Sequence, residues 1–476
     1  MADLLKPDLC IIGAGALGLG LAVRARQAGL SVALVDTGVP VPGDAPQAAM
    51  QRAALMASAN RAHAIRTAGA FGMANGEPKP NYRTIGERAA ALAAGMQPEM
   101  APERLDALGI ERLAGATAFT GRRALKVGDT PVAAGHFVLA TGAQPLLPDL
   151  PGIDAVAYFT PQSILDNMRK LSHLLVLGGT PVAVELAQAY ARLGAEVTLV
   201  PQGALLPGFD SDLVAMLLRS LADEGLRILP ETSVTAIQPR SQGTGISLLH
   251  GDGSAGSLDI SHLLLAMGDM PALDADMLAQ ARLRPDRAQP GRIQLGPEGQ
   301  TSNPHIWAVG GAAGISDPAQ AQLQVERLLQ RLLGHPLPPT PAHLGPRLIR
   351  TDPPLAQTGL VLSTEALRPG QSVLRANLAE SIAARAGGAP RGNTSLIVNA
   401  AGSILGGAML GQGADSVVAA LALGMARGLS VADLAGLAVP PESAGSLLAQ
   451  IGRQYSASHP PGRLARLRAR LSQIRR

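Results

Sequence analysis

The stretch "DLCIIGAGALGLGLAVRARQAGLSVALVD", from Asp8 to Asp36, constrains this chain more than any other part of its 476 residues. A short apolar run at residues 9–12 reads as a strand buried on both faces. Gly13, Gly15 and Gly18 follow, then a helix, then a second apolar strand ending at Asp36. Each glycine has its own reason: Gly13 makes the tight turn, Gly15 lets backbone approach a pyrophosphate, and Gly18 permits close helix–strand packing. The helix N-terminus adds amide hydrogens and a positive dipole end for phosphate. Asp36 falls about twenty residues on, where a carboxylate accepts from ribose hydroxyls. Strand, turn, helix and acid in register predict a parallel βαβ unit that holds an adenine dinucleotide.

A second copy reads "HLLVLGGTPVAVELAQAYARLGAEVTLVPQG". Gly178 and Gly179 open its turn, but Thr180 and Ala183 stand where the second and third motif glycines would be. Ala183 is small enough for helix packing, whereas Thr180 crowds the pyrophosphate approach. Pro201 and Gln202 occupy the place of the acid. Neither the carboxylate that favours NAD nor the arginine that favours NADP is present. The same fold is expected for this unit, and its nicotinamide nucleotide, NAD(P)H, is left as either retained or lost.

Length and composition bound the remainder. A chain this long exceeds a single core and implies about two to four domains. One cysteine, Cys10, excludes an intrachain disulfide, a cysteine-based zinc site and an iron–sulfur cluster. No histidine or carboxylate cluster suggests a metal. The N-terminus lacks a basic region and cleavage site, and the longest apolar tract is broken by Asn399, Gln412 and Asp415. A soluble, cytoplasmic protein is therefore expected. The net charge is +4, and arginines gather in "RLARLRARLSQIRR", with Leu464, Leu467, Leu471 and Ile474 on one helical stripe. That tail reads either as a helix packed on the body or as weak adhesion to anionic lipid or an acidic partner. Nucleic acid is disfavoured because no stacking aromatics accompany the arginines.

Two such units in this order, with "FVLATGAQPLLPDLPG" between them, "PHIWAVGGAAG" after them and "GNTSLIVNAAGSILGGAMLGQGADSVVAALALGMARGLSVADL" beyond, resemble the pyridine nucleotide-disulfide oxidoreductases. The dihydrolipoamide dehydrogenase and mercuric reductase branch is the more similar. The resemblance runs nearly end to end and implies an α/β fold with two Rossmann-like nucleotide-binding domains and a C-terminal α+β dimerisation domain. It implies an FAD-binding domain at 1–150 and 272–345, interrupted by an NAD(P)-binding-like domain at 151–271. A dimerisation domain at 346–455 and a basic amphipathic tail at 456–476 complete it, with a homodimer as the assembly. The FAD contacts carried over are Gly13, Gly15, Gly18 and Asp36, the turn Ala140, Thr141 and Gly142, and Gly310. The nicotinamide-side contacts are Gly178, Gly179 and Glu185.

The departures are as informative as the likeness. The family's Cys-x-x-x-x-Cys disulfide falls on Gly43 and Ala48, and its C-terminal His and Glu fall on Val439 and Ala444. Glycine, alanine and valine supply neither a thiolate nor an exchangeable proton. Disulfide reductase activity is expected to be absent. The family's ribityl-binding aspartate is Gly311, and its Gly-Arg-x-Pro-Asn turn carries Asp269 and Ala272. A lysine–glutamate pair beside the flavin corresponds to Arg52 and Glu185, read either as a catalytic ion pair or as an ordinary helix–helix salt bridge. Two functions stay open. One is an FAD-dependent oxidoreductase passing hydride from NAD(P)H to FAD and on to a small acceptor. The other is a catalytically silent flavin-binding paralogue acting as a binding or scaffold protein.

Overall fold

The computed structural model describes residues 3–38, 46–95, 102–337, 344–362 and 367–459. The chain divides into two compact units, Met1–Pro207 with Leu221–His343, and Gly208–Ser220 with Leu344–Arg476.

The first unit begins with β1 (Leu9–Ile12), α1 (Ala16–Gln27), β2 (Val32–Asp36), α2 (Pro46–Thr67), α3 (Tyr82–Ala94), the short α4 (Pro102–Ala107) and β3 (Glu111–Ala114). A three-stranded antiparallel sheet follows, formed by β4 (Thr117–Gly121), β5 (Ala124–Val127) and β6 (Thr130–Val132). The chain then returns through β7 (His136–Leu139) and β8 (Ala143–Pro145). Strand β1 lies between β2 and β7, all parallel, with Leu9 opposite both Val32 and His136. Its residues alternate between faces. Cys10 and Ile12 join Phe119, Leu125 and Phe137 on the side of the small sheet. Leu9 and Ile11 join Leu21, Ala22 and Val325 on the helical side. A strand buried on both faces must be apolar throughout, which explains the unbroken run in the sequence.

The second nucleotide-binding-like fold comprises β9 (His173–Leu177), α5 (Pro181–Arg192), β10 (Glu196–Val200), α6 (Ser211–Asp223) and β11 (Arg227–Ile228). Then come β12 (Thr232–Pro239), β13 (Thr244–His250), β14 (Ala255–Ile260), β15 (His262–Leu265) and β16 (Asp269–Pro271). Strands β11, β10, β9 and β15 form a parallel sheet, and β12 to β14 an antiparallel one. The chain re-enters the first fold through α7 (Ala275–Gln280), β17 (Ile306–Ala308) and α8 (Pro318–Leu332). Strand β17 pairs in parallel with β7, closing the order β17-β7-β1-β2-β3. The N-terminus of α8 is fixed by Asp317, whose carboxylate accepts from Ala319 N and Gln320 N.

In the second unit, β18 (Arg347–Ile349), β19 (Leu355–Gly359), β20 (Gln371–Asn377), α9 (Ile382–Ala386), β21 (Asn393–Asn399) and β22 (Ile404–Leu410) precede α10 (Ala414–Ala426) and α11 (Ser446–Ser458). The sheet is antiparallel in the order β18-β19-β22-β21-β20. Its core joins Leu396, Val398 and Met409 of the sheet to Val417, Leu421, Leu447 and Ile451 of the helices. The segment Gly208–Ser220, which the sequence reading grouped with the second nucleotide-binding fold, clusters here. Asp210 is buried, with Ser395 Oγ donating to its Oδ2 at 2.9 Å and Leu213 N donating to its Oδ1 at 3.1 Å. Among the described residues no helix is long and apolar enough to cross a membrane. The arginine-rich tail with Leu464, Leu467, Leu471 and Ile474 lies outside the described residues.

Candidate functional site: two unequal glycine turns

At the first turn the glycines are used in different ways. A Cβ on Gly13, where φ is +116°, would lie 2.2 Å from Ala140 O, and one on Gly18 would lie 2.1 Å from Gly13 O. Both neighbours are backbone, so neither position accepts a side chain. Gly15 is the opposite: no described residue lies within 4 Å of where its Cβ would be. It is the N-cap of α1 and provides no side-chain cap. The first helical bond runs from Leu19 N to Gly15 O at 2.9 Å, so the N–H groups of Ala16, Leu17 and Gly18 precede it. A helix start leaves such N–H groups without intrahelical partners. Asp36 is exposed at the end of β2, and its Oδ1 accepts from Gly38 N at 2.9 Å.

Ala140, Thr141 and Gly142 follow β7, with Gly142 at φ +72°. Thr141 Oγ1 is buried and has no hydrogen-bond partner among the described residues. A buried hydroxyl without a partner is unfavourable unless something else supplies one. An open pyrophosphate cradle, an exposed acid at the end of β2 and an orphaned hydroxyl just after β7 together fit an adenine dinucleotide such as FAD.

Gly310 has φ +58°; its N–H donates to Gln324 Oε1 at 2.9 Å, and Gln324 Nε2 donates to Ala308 O at 3.2 Å. Gln324, a residue the sequence reading did not single out, thus fixes this turn from α8. Leu17 also went unremarked. Its Cδ2 lies 2.5 Å from where a Cβ on Gly310 would be. A Cβ on Gly311 would lie 2.7 Å from Ala143 N. The loss of an aspartate at 311 is therefore matched by a close approach of the two turns.

The second turn repeats the plan up to one position. A Cβ on Gly178, at φ +138°, would lie 2.2 Å from Ala266 O, the same distance as for its counterpart Gly13. Thr180 then stands where Gly15 stands in the first. Its Oγ1 donates to Ala266 O at 2.9 Å and accepts from Ala183 N at 3.2 Å. Its methyl lies 3.7 Å from where a Cβ on Gly268 would be. Pro181 occupies the first position of α5 and has no N–H. Val184 N bonds to Thr180 O at 3.2 Å. Gly179 is covered by the loop after β10: Leu206 N donates to Gly179 O at 2.7 Å, and a Cβ on Gly179 would lie 2.5 Å from Ala204 O. Gln202, in the acid's place, is held at both ends of its amide. Its Oε1 accepts from Val234 N at 2.9 Å and its Nε2 donates to Val234 O at 3.3 Å.

The resemblance places the family's disulfide and proton relay at residues 43, 48, 439 and 444. Ala48 is buried in α2, and Gly43 lies outside the described residues. Cys10 is fully buried in β1, and burial pushes its thiol up to about 12. Val439 and Ala444 lie half-buried in the segment before α11. No group of histidine, cysteine and carboxylate side chains able to hold a metal occurs among the described residues. Glu185 is buried on α5 and Arg52 half-buried on α2, and these two helices pack together. A second polar cluster joins the same helices. Arg192 donates to Glu224 Oε2 at 2.7 Å and Oε1 at 2.6 Å, and to Asn60 Oδ1 at 2.6 Å.

Residues 7–326 match the family described as pyridine nucleotide-disulphide oxidoreductase. The chain belongs to that family. Over 446 residues it is 27% identical to the mercuric reductase of Streptomyces lividans, covering 90% of this chain and 92% of that protein. Over 454 residues it is 28% identical to the dihydrolipoyl dehydrogenase of Thermus scotoductus, covering 91% and 94%. Among solved structures, the HOCl-induced flavoprotein disulfide reductase RclA from Escherichia coli superposes with a TM-score of 0.76 at 21% identity, covering 94% of this chain and 99% of that one. That last likeness concerns the fold. The family is one of FAD-dependent oxidoreductases, as the resemblance implied.

Proposed function

We propose that this member of the family binds FAD in its first Rossmann unit and does not reduce disulfides, serving as a flavin-binding or scaffold protein. One observation carries the reading: the uncapped N-terminus of α1 opens at Gly15, beside a strand end whose Thr141 hydroxyl is buried without a partner. The N–H groups of Ala16, Leu17 and Gly18 would hold the pyrophosphate, Asp36 the adenosine ribose, and Thr141 a further polar group of the ligand. When bound, FAD would supply the two-electron redox chemistry that no side chain here can. The protein's own residues would orient it and keep water from the buried β7 side. Cys10, in its strand, cannot relay electrons, and Val439 and Ala444 cannot move protons. A homodimer built through residues 346–455 rests on the family resemblance.

A second reading is a flavin-dependent reductase that accepts hydride from NAD(P)H and reduces a small acceptor directly. The placement of Glu185 and Arg52 on packed helices favours it, because an arginine–carboxylate pair would keep a fixed charge there. The visible spectrum of the purified protein, followed by anaerobic addition of NADH or NADPH, tests both. A yellow protein that nicotinamide nucleotide does not bleach supports the first reading, and one that bleaches supports the second. A colourless protein that takes up no FAD contradicts both.

A further inference from the structure

We propose that the second Rossmann unit is closed by its own residues and binds no nicotinamide dinucleotide. The two glycine turns of this chain are each other's control. Both set their first glycine 2.2 Å, by its would-be Cβ, from a carbonyl of the neighbouring strand end. Both then enter a helix of 12 residues. The difference lies in what the helix N-terminus has left to offer an anion. In α1 the cap is glycine without a side-chain bond, and no described residue lies within 4 Å of where its Cβ would be. In α5 the first position is Pro181, which has no N–H, and the third N–H, from Ala183, is taken by Thr180 Oγ1. Val182 alone keeps an N–H among these first three positions.

The closure extends beyond the donors. Thr180 also bonds to Ala266 O, so its side chain is anchored between the turn and the next strand end, over the path a pyrophosphate takes across Gly15 in the first unit. The ribose-reading position is likewise occupied by structure. Both polar ends of Gln202 are bound to Val234 backbone, tying the end of β10 to β12. Each hydrogen bond to a charged phosphate contributes roughly tenfold or more in affinity. With two donors gone and a side chain in the path, the anchor of the dinucleotide is lost.

The inference is independent of whether FAD binds the first unit, and its test separates the two. Gly15→Asp places a carboxylate in the first cradle, where no described residue lies within 4 Å of its Cβ, and so blocks that site. NADH and NADPH are titrated calorimetrically into this variant, and the FAD reading is scored separately by titrating FAD into the unsubstituted protein. The expected result is no saturable heat with either nicotinamide nucleotide up to ~1 mM. On the same background, Thr180→Gly with Pro181→Ala restores two N–H donors and should bring saturable binding at least about tenfold tighter. Glycine is an adequate N-cap, so α5 should be little affected, and circular dichroism checks the fold. Saturable binding to Gly15→Asp alone overturns the proposal. So does a folded triple variant that binds no better than Gly15→Asp.

Discussion

Replacing Gly15 by alanine adds one methyl group to the open side of the first cradle. Gly15 has φ −68° and ψ 173°, a conformation any L-residue adopts, and no described residue lies within 4 Å of the new atom. The substitution should change the apoprotein's stability by no more than about 1 kcal/mol, because restricting the unfolded chain is offset by alanine's poorer fit at an N-cap. Its effect on the ligand is larger. An N–H donor meets a phosphate oxygen at about 2.9 Å, whereas a methyl carbon demands about 3.5 Å or more. The pyrophosphate must back away from the α1 amides, losing one or more bonds to a charged group at about 1.5–3 kcal/mol each. FAD affinity should fall at least about tenfold. Equilibrium dialysis with flavin absorbance reads the affinity, and urea unfolding of the apoprotein reads the stability. Gly18→Ala is the contrast, since its methyl meets Gly13 O at 2.1 Å and should lower stability by about 1–3 kcal/mol or more. If Gly15→Ala binds FAD as well as the parent, the pyrophosphate does not lie across this turn and the reasoning fails.

Three further outcomes are expected. Arg192→Leu leaves Glu224 without its bidentate partner in a largely buried cluster and should cost about 3–5 kcal/mol in urea unfolding; a loss below ~1 kcal/mol would show that the pair is solvated. Cys10 should resist an aromatic disulfide reagent in the folded protein and react fully once denatured, because burial pushes its thiol up to about 12. His136 is held below the ordinary imidazole value of 6.5 by burial first, then by the charges of His305 and Arg123, and His262 is lowered by burial. Between the lowered folded value and 6.5 the unfolded chain binds more protons, so this contribution is complete above pH 6.5 and is lost as pH falls. Thermal unfolding followed from neutral pH downward should show the decline, and His136→Gln should lessen it. An unchanged slope would remove His136 as a cause.

How much of this was legible beforehand depended on whether a residue's role is local. The strands at Leu9–Ile12 and Val32–Asp36 could be read because burial on both faces demands an unbroken apolar run. Gly13 and Gly18 could be read because turn geometry and helix packing leave no room there for a Cβ, whereas nothing in the turn itself restricts Gly15. Thr180 was legible as an obstacle, but its double bond to Ala266 O and Ala183 N needed the neighbouring strand end in place. Pro181 carried a signal that was missed: proline at a helix start removes a donor as well as fixing φ. Leu17 and Gln324 could not be found by spacing. One packs against Gly310 and the other bonds to it, about three hundred residues apart in the chain for Leu17. The grouping of Gly208–Ser220 with the C-terminal unit was also hidden, because the capping of α6 by Asp210 and the Ser395 bond to the same carboxylate join segments distant in sequence.

The asymmetry between an open first turn and a closed second one is tested most directly by a single anaerobic cuvette. The purified protein, saturated with FAD and freed of excess, is mixed with NADH or NADPH and then with dithionite. Flavin absorbance should persist through both nucleotides and vanish only with the chemical reductant. Prompt bleaching by either nucleotide would contradict the account, and so would a protein that retains no flavin to bleach.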